Sequence, residues 1–177
     1  LIFLADGFEE IEALAVVDVL RGANYQVTTV AVGTPTLQVQ GAHGITVTAD
    51  RMEQEIAGEK PEGMVLPGGM PGTLNLERSD VVQAVLFDCI QEEILTAAIC
   101  AAPSILGHKG YLKGKRATCY PGFEGATTES TLVVRDGTII TGKGPGAAIP
   151  FALEIVKAIS GETLANQIGM EMQWLQA

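Results

Sequence analysis

An α/β sandwich, in which helices cover both faces of a mostly parallel central sheet, is predicted by three features of the sequence. Short apolar runs typical of buried strands alternate with segments of helical spacing along the chain. Several of these runs are continuous, as in parallel strands that are buried on both faces. With 177 residues, of which 47% are hydrophobic and 18% charged, the chain can form a full core and fits a single domain, residues 1–177. These features favour the flavodoxin-like type of fold.

The predicted elements follow from these patterns in chain order. Strands are expected at 1–5, 27–32, 37–40, 45–48, 64–66, 95–99, 132–135 and 138–141. The last two strands flank Asp136-Gly137, a sequence typical of a hairpin turn. The strands at 37–40 and 45–48 are predicted to form another hairpin, connected by residues 41–44. Helices are expected at 8–23, 81–93, 101–107 and 147–159. In a sheet of this kind, active sites lie beyond the carboxyl ends of the strands.

Two junctions between predicted elements are unusually abrupt. The helix that ends at Glu93 runs into the next strand without a Gly, Pro or Asn residue to turn the chain. The residues around Glu124 lead just as abruptly towards the following hairpin. We therefore expect a few loop residues to be missing from the sequence near Glu93 and near Glu124, which the mass of the intact protein would reveal.

Charge and cysteine content argue against several classes of protein. Eleven Lys and Arg residues against 21 Asp and Glu residues give a net charge of −10, so nucleic acid is not expected as the main partner. No apolar run approaches the ~20 residues of a membrane span, so no membrane partner is expected. Three cysteines without paired spacing predict a reducing, cytoplasmic location. The two histidines show no metal-ligand spacing, so no metal site is expected.

The strongest local signal for chemistry is Cys100, which follows a buried strand and precedes a helix. A reactive residue on a sharp strand-to-helix turn is typical of a nucleophile elbow, and the small side chains of Ala101 and Ala102 leave room for that turn. The start of the following helix is expected to lower the pKa of the thiol. The alternative is that Cys100 is an inert buried cysteine, as free cysteines commonly are.

Glu12 is the candidate partner of this thiol. On the first helix it lies in register with the apolar stripe that contains Val16 and Val19. Burial there would raise the pKa of its carboxyl group, which can then hold a proton near neutral pH. Glu9 and Glu10 are interpreted as solvent-facing acids of the first helical turn, and the alternative for Glu12 is the same.

Two glycine-rich loops are candidates for contact with a ligand. Pro67-Gly68-Gly69 follows a buried strand, and the amides of Gly69 and Ala101 are candidate oxyanion donors beside Cys100. A Gly-Gly turn is weak support when taken alone. The second loop, GKGPG at 142–146, predicts a tight helix start but lacks the phosphate-loop pattern, so a nucleotide is not expected.

Four motifs together resemble the ThiJ/PfpI superfamily. They are ADGFEEIE at 5–12, LPGG at 66–69, AAICAAP at 97–103 and GPG at 144–146, in the order of that family. The most similar branch contains the Parkinsonism-associated protein deglycase (DJ-one) and bacterial YajL. The resemblance implies a flavodoxin-like fold with Cys100 as the nucleophile, Glu12 as its protonated partner, and Gly69 and Ala101 as amide donors. It also implies a homodimer without metal or organic cofactor.

The same resemblance implies two hypotheses for function. One is a cysteine-dependent protein deglycase or glutathione-independent glyoxalase, whose partners are small reactive carbonyls, such as methylglyoxal, or glycated protein amines and thiols. The other is a non-enzymatic oxidative-stress sensor or redox-regulated chaperone, in which the Cys100 thiolate is oxidised to a sulfinate. Both use the same two side chains, Cys100 and Glu12, so the sequence leaves both open.

One departure from the family pattern concerns a histidine that several members place near the cysteine. This chain has Tyr120 there, and neither His43 nor His108 occupies the matching position. A phenol is a poor base at neutral pH, since its ordinary pKa is about 10. A Cys–His pair of the protease type is therefore not expected. Glu12 has to carry the proton transfers, and Tyr120 is a candidate neighbour of the site.

Overall fold

A seven-stranded sheet forms the centre of the computed structural model, which describes residues 1–123 and 129–174. The strands are β1 (Ile2–Ala5), β2 (Thr29–Val32), β3 (Gln38–Gln40), β4 (Thr46–Thr48), β5 (Arg51–Met52), β6 (Gly63–Leu66), β7 (Leu95–Ile99), β8 (Val133–Asp136) and β9 (Ile139–Gly142). The order across the sheet is β5-β2-β1-β6-β7-β9-β8, and only β8 runs antiparallel to its neighbour. Strands β3 and β4 form a separate antiparallel pair.

Helices cover both faces of this sheet. They are α1 (Glu10–Gly22), α2 (Gly72–Arg78), α3 (Asp80–Gln91), α4 (Pro103–His108), α5 (Ala148–Ser160) and α6 (Glu162–Glu171). Helices α1, α5 and α6 pack on the face to which Ile2 and Leu4 of β1 point, whereas α2, α3 and α4 pack on the face of Phe3 and Ala5. The predicted flavodoxin-like sandwich is therefore confirmed. Within the described ranges, no helix has the length and apolar character needed to cross a membrane.

Three elements escape prediction from the sequence. Strand β5 has only two residues, too few for an alternating pattern. Helix α2 has seven residues, so its buried side chains, Thr73 and Leu76, do not span two turns. Helix α6 buries only Ala165, Ile168 and Gly169 of its ten residues, which is too weak an apolar stripe for a helix to be predicted.

The abrupt junction at Glu93 is closed by a compact turn at the end of α3. Glu93 adopts a left-handed conformation with φ of 54°. The Ile94 amide donates to the carbonyl of Cys89 (2.8 Å) and the Glu93 amide to that of Ile90 (3.4 Å), which are the two hydrogen bonds of a Schellman motif. This turn connects helix and strand without a Gly, Pro or Asn residue, and the absence of loop residues near Glu93 stays a prediction that the mass of the intact protein tests. The second junction, near Glu124, falls within residues 124–128, outside the described ranges.

Candidate active site

Cys100 occupies a sharp turn between β7 and α4. Its φ is 64°, a left-handed conformation that residues other than glycine rarely adopt. The Cys100 amide donates to the carbonyl of Gly142 (2.9 Å), and the Ala102 amide donates to that of Ile99 (3.0 Å). The strain is thus held in place by backbone hydrogen bonds on both sides of the turn. A strained residue between a strand and a helix has the geometry of a nucleophile elbow.

Glu12 projects from the first turn of α1 into the protein interior and is fully buried. Its Oε2 accepts a hydrogen bond of 2.8 Å from the amide of Gly68, in the loop after β6. Its Oε1 is buried and accepts no well-aligned hydrogen bond from the described residues. Cys100 is the side chain with which this carboxyl group interacts. The structure therefore brings Glu12 and Cys100 together, with one carboxyl oxygen still available for a proton or a ligand atom.

Burial and mutual repulsion keep the Glu12–Cys100 pair from carrying two negative charges. Burial raises the pKa of Glu12 to about 7. Burial and the negative charge of ionised Glu12 raise the pKa of the Cys100 thiol, whereas the amides of Ala101 and Gly69 lower it. This direction is opposite to that expected from the helix start, because α4 is only six residues long and the carboxylate lies beside the sulfur. The pair therefore keeps at least one proton near neutral pH, and the thiolate forms when that proton is on Glu12.

Gly68 and Gly69 allow the loop after β6 to approach both reactive side chains. A Cβ built on Gly68 would lie 2.6 Å from Cβ of Cys100 and 2.7 Å from Oε2 of Glu12. Gly69 has φ of 89°, and a Cβ there would lie 2.4 Å from the amide nitrogen of Glu9. The amides of Gly69 and Ala101 lie close enough to the Cys100 sulfur to lower the pKa of its thiol. If a carbonyl compound were bound to the Cys100 sulfur through its carbon, its oxygen atom would lie near the same two amides.

Tyr120 contacts Cys100 through a backbone hydrogen bond. Its amide donates a hydrogen bond of 2.8 Å to the carbonyl of Cys100. The ring is half exposed, and its Cδ2 would lie 3.3 Å from a Cβ built on Gly144, in the loop before α5. The backbone of Tyr120 is therefore joined to the Cys100 turn, while its ring is partly open to solvent beside the loop that contains Gly144.

The remaining thiols and histidines are separated from this pair or buried. Cys89 on α3 is fully buried and Cys119 is nearly so, whereas Cys100 is only partly buried. His108 is exposed and its Nδ1 lies 2.7 Å from Oε1 of Glu77. Among the three thiols, Cys100 is thus the one that a solute can reach.

The interpretation of Glu9 and Glu10 as solvent-facing acids is wrong. Glu10 is 4% exposed and Glu9 is 9% exposed, because the loop between β3 and β4 lies over the first turn of α1. Oε1 of Glu10 accepts the amide of His43 (2.7 Å), and its Oε2 lies 2.8 Å from Nδ1 of the same residue. No local signal predicts this contact, since the two residues are 33 positions apart in the chain.

Comparisons with known proteins identify the family to which the chain belongs. The family model described as the DJ-1/PfpI family matches residues 1–158. The chain is 35% identical over 175 residues to protein DJ-1 homolog A of Arabidopsis thaliana. This match covers 95% of the chain but 44% of the relative, so the chain spans less than half the length of that protein. It is 31% identical over 166 residues to glutathione-independent glyoxalase DJR-1.2 of Caenorhabditis elegans, covering 90% of this chain and 87% of the relative.

Solved structures agree with the sequence comparisons. The oxidised form of DJ-1 from Toxoplasma gondii superposes with a TM-score of 0.94 at 30% sequence identity, covering 99% of this chain and 97% of that one. Fold, motif order and sequence similarity therefore lead to the same assignment. The chain belongs to the DJ-1/PfpI family.

Proposed function

We propose that the chain is a Cys100-dependent glyoxalase that acts on methylglyoxal without glutathione, and a deglycase on glyoxal-derived adducts of protein amines and thiols. The observation that carries the proposal is the contact between the strained, partly exposed Cys100 and the buried carboxyl group of Glu12. A nucleophile beside a group that exchanges protons near neutral pH is what addition to a carbonyl requires. The glyoxalase name of a relative with 31% identity supports the same reaction class.

The proposed reaction begins when the Cys100 thiolate adds to the aldehyde carbon of methylglyoxal and forms a C–S bond. The amides of Gly69 and Ala101 stabilise the resulting oxyanion. Glu12 first gives the proton that it holds to this oxyanion, which makes the carboxylate available as a base. It then removes the proton from the same carbon and returns it to the neighbouring ketone carbon, while the hydroxyl proton passes to the former ketone oxygen. The aldehyde carbon is thereby oxidised to a thioester and the ketone carbon is reduced to an alcohol, so no external oxidant takes part.

Water then cleaves the C–S bond, which releases lactate and restores the thiol. The overall reaction converts methylglyoxal and water into lactate and a proton. On a glyoxal-derived adduct, attack by Cys100 breaks the bond between the adduct carbon and the protein nitrogen or sulfur, and the amine or thiol leaves with a proton. The buried Oε1 of Glu12, which accepts no well-aligned hydrogen bond from the described residues, supports its role in these transfers.

Formation of lactate from methylglyoxal in the absence of glutathione tests the proposal. We expect the native protein to turn over and Cys100→Ser to lose activity, while Cys89→Ala, which removes a buried thiol on the other side of the sheet, keeps it. Absence of lactate with the native protein would contradict the glyoxalase assignment. Activity in Cys100→Ser would remove Cys100 from the role of nucleophile.

A second candidate function is oxidative-stress sensing through the same thiol. The observation that favours it is the difference in exposure among the cysteines, because oxidants reach accessible thiols first. Two equivalents of hydrogen peroxide would convert the Cys100 thiolate first to a sulfenate and then to a sulfinate, releasing one water at each step. Mass spectrometry of peptides after mild peroxide treatment should find two added oxygen atoms on Cys100 only. Equal oxidation of Cys89 would contradict this function.

A homodimer, implied by the family resemblance, remains part of the proposal. Its support is three exposed apolar side chains near the start of α1: Ile11 and Leu14 on the helix, and Ile45 in the β3–β4 loop, whose amide reaches Glu10. Contiguous exposed apolar side chains are typical of protein interfaces. Light scattering of the native protein and of Ile11→Glu should give dimer and monomer masses, respectively. A native monomer would contradict the homodimer.

A further inference from the structure

Backbone hydrogen bonds fasten the end of β3 and the loop after it to the start of α1. The Gly7 amide donates to the carbonyl of Gln40 (2.7 Å), and the Ala42 amide donates to that of Phe8 (2.8 Å). The residues before the helix and those after the strand are thus bonded in both directions. The β3–β4 loop therefore has a defined position over the first turn of α1.

The carboxylate of Glu10 fixes this loop further and orients the side chain of His43. Its Oε1 accepts the His43 amide at 2.7 Å and the Ile45 amide at 3.5 Å, which leaves Oε2 to face Nδ1 of His43 at 2.8 Å. A Cβ built on Gly41 would lie 2.3 Å from Oε1 of Glu10, so glycine at that position allows the carboxylate to lie under the loop. Both the backbone and the imidazole of His43 are therefore held by one carboxylate.

His43 is the cation that faces the two buried carboxylates at the start of α1. Its Nδ1 lies 3.6 Å from Oε2 of Glu9 and 2.8 Å from Oε2 of Glu10, and no lysine or arginine of the described ranges forms an ion pair with either. Residues 37–48 contain no Asp, Glu, Lys or Arg, and the other acid beside the loop is Asp6, which accepts a backbone amide. The hydrogen bond with Glu10 and the two negative charges raise the pKa of His43, so the imidazole stays charged to a higher pH than an ordinary one.

The peptide of Gly68 connects this helix start to Glu12. Its carbonyl accepts the amide of Glu9 (2.9 Å), and its own amide donates to Oε2 of Glu12 (2.8 Å). Glu9 and Glu12 are three positions apart, which places them on neighbouring parts of the same helical turn. Burial is the main cause of the raised pKa of Glu12, and the negative charge of Glu9 adds to it. A charge at Glu9 is therefore felt at the carboxyl group that interacts with Cys100.

We propose that His43 is a positioning residue for the Glu12–Cys100 pair. Its imidazolium compensates the charges of Glu9 and Glu10 and keeps the first turn of α1 in place under the loop. Without that positive charge, the two carboxylates would repel ionised Glu12, which would then hold its proton to a higher pH. The role requires no contact between His43 and the substrate. Its consequence for turnover rests on the proposed glyoxalase reaction, in which Glu12 moves the protons.

Titration of the Glu12 side-chain carboxyl carbon by ¹³C NMR tests this role without turnover. The signal is assigned by its absence from Glu12→Gln, and its midpoint in the native protein should be about 7. His43→Gln keeps a polar side chain without charge and should raise the midpoint by about 0.3–1, as loss of a partly screened unit charge does. His43→Arg keeps the positive charge and should restore the native midpoint. His108→Gln is the matched control, because it removes the other exposed histidine, and it should leave the midpoint unchanged.

Glu9→Gln provides a variant of opposite sign. It removes a negative charge near Glu12 and should lower the Glu12 midpoint. In the double variant with His43→Gln, the increase caused by His43→Gln should be smaller, because one of the charges that His43 compensates is gone. The proposal is overturned if His43→Gln or Glu9→Gln leaves the Glu12 midpoint unchanged, or if His43→Gln and His43→Arg shift it equally.

The pH profile of lactate formation tests the consequence for the reaction. The acid limb of the profile should move to higher pH in His43→Gln by the same amount as the Glu12 midpoint, and should stay in place in His108→Gln. An acid limb that does not move while the midpoint does would overturn the role in turnover. Absence of lactate with the native protein would contradict the glyoxalase proposal alone, because the carboxyl titration does not depend on it.

Discussion

Oε2 of Glu12 and Cβ of Cys100 border the same small space, and Gly68 fills it. A Cβ on Gly68 would stand 2.7 Å from the first atom and 2.6 Å from the second. The sheet order β1-β6-β7 explains this arrangement, because the loop after β6 lies between α1, which follows β1, and the turn that follows β7. The distance between acid and thiol is therefore set by a residue that takes part in neither acid–base nor nucleophilic chemistry.

Gly68→Ala should separate the Glu12–Cys100 pair. Contacts shorter than 3.0 Å with the buried Glu12 and the partly buried Cys100 force one of these side chains to move, at a cost of about 1–3 kcal/mol in the free energy of unfolding. Displacement of a catalytic group by about 1 Å can reduce turnover about 100-fold. Lactate formation and urea unfolding should both be measured. Gly146→Ala is the control, because a Cβ there meets nothing within 4 Å and its φ is not positive. Equal turnover in the two variants would contradict the role given to Gly68.

Glu12→Gln should reduce turnover without removing the nucleophile. The amide side chain can still accept the hydrogen bond from the Gly68 amide but cannot exchange a proton at neutral pH. Loss of a general acid–base group reduces rates by about 10²–10⁴-fold. Iodoacetamide should still alkylate Cys100 in the variant, since alkylation needs no proton transfer to substrate carbon. Unchanged lactate formation would show that another group moves the proton.

The sequence predicts those parts of the site that depend on local pattern. Cys100 is found because a buried strand, two alanines and a helix start surround it, and Glu12 because it shares the apolar stripe of α1. The burial of Glu10 depends instead on a contact between α1 and the β3–β4 loop, to which no periodicity corresponds. The sequence also predicts a lowered pKa for the Cys100 thiol, which is wrong. The pKa is raised because burial and the nearby Glu12 carboxylate both disfavour the thiolate, and the approach of Glu12 is a tertiary contact.

Glu93→Gly should stabilise the protein. Glu93 has φ of 54° at the end of α3, where glycine carries no steric cost, so we expect a gain of about 0.5–1 kcal/mol in the free energy of unfolding. Gly137→Ala is the reciprocal test, since Gly137 has φ of 64° and a Cβ there would meet nothing, so only backbone strain is added. Urea unfolding should move the two midpoints in opposite directions. A destabilised Glu93→Gly would mean that the glutamate side chain contributes more than its backbone strain costs.

Asp50→Asn should make the free energy of unfolding less dependent on pH in the acidic range. Partial burial raises the pKa of Asp50, but hydrogen bonds from the amide and hydroxyl of Thr29 and the ion pair with Arg21 outweigh it and hold the pKa below its usual value. A carboxyl group whose pKa is lowered on folding stabilises the native state above its unfolded pKa, about 3.9, and loses that contribution as the pH falls through the folded pKa. Urea midpoints of the native protein and of Asp50→Asn should therefore differ at pH 7 and converge in acid. Asp18→Asn is the control. It removes an exposed carboxylate from α1 and should leave the urea midpoint at pH 7 nearly equal to that of the native protein. A difference for Asp50→Asn that persists undiminished below the folded pKa would mean that lost hydrogen-bond geometry, rather than lost charge, destabilises the variant.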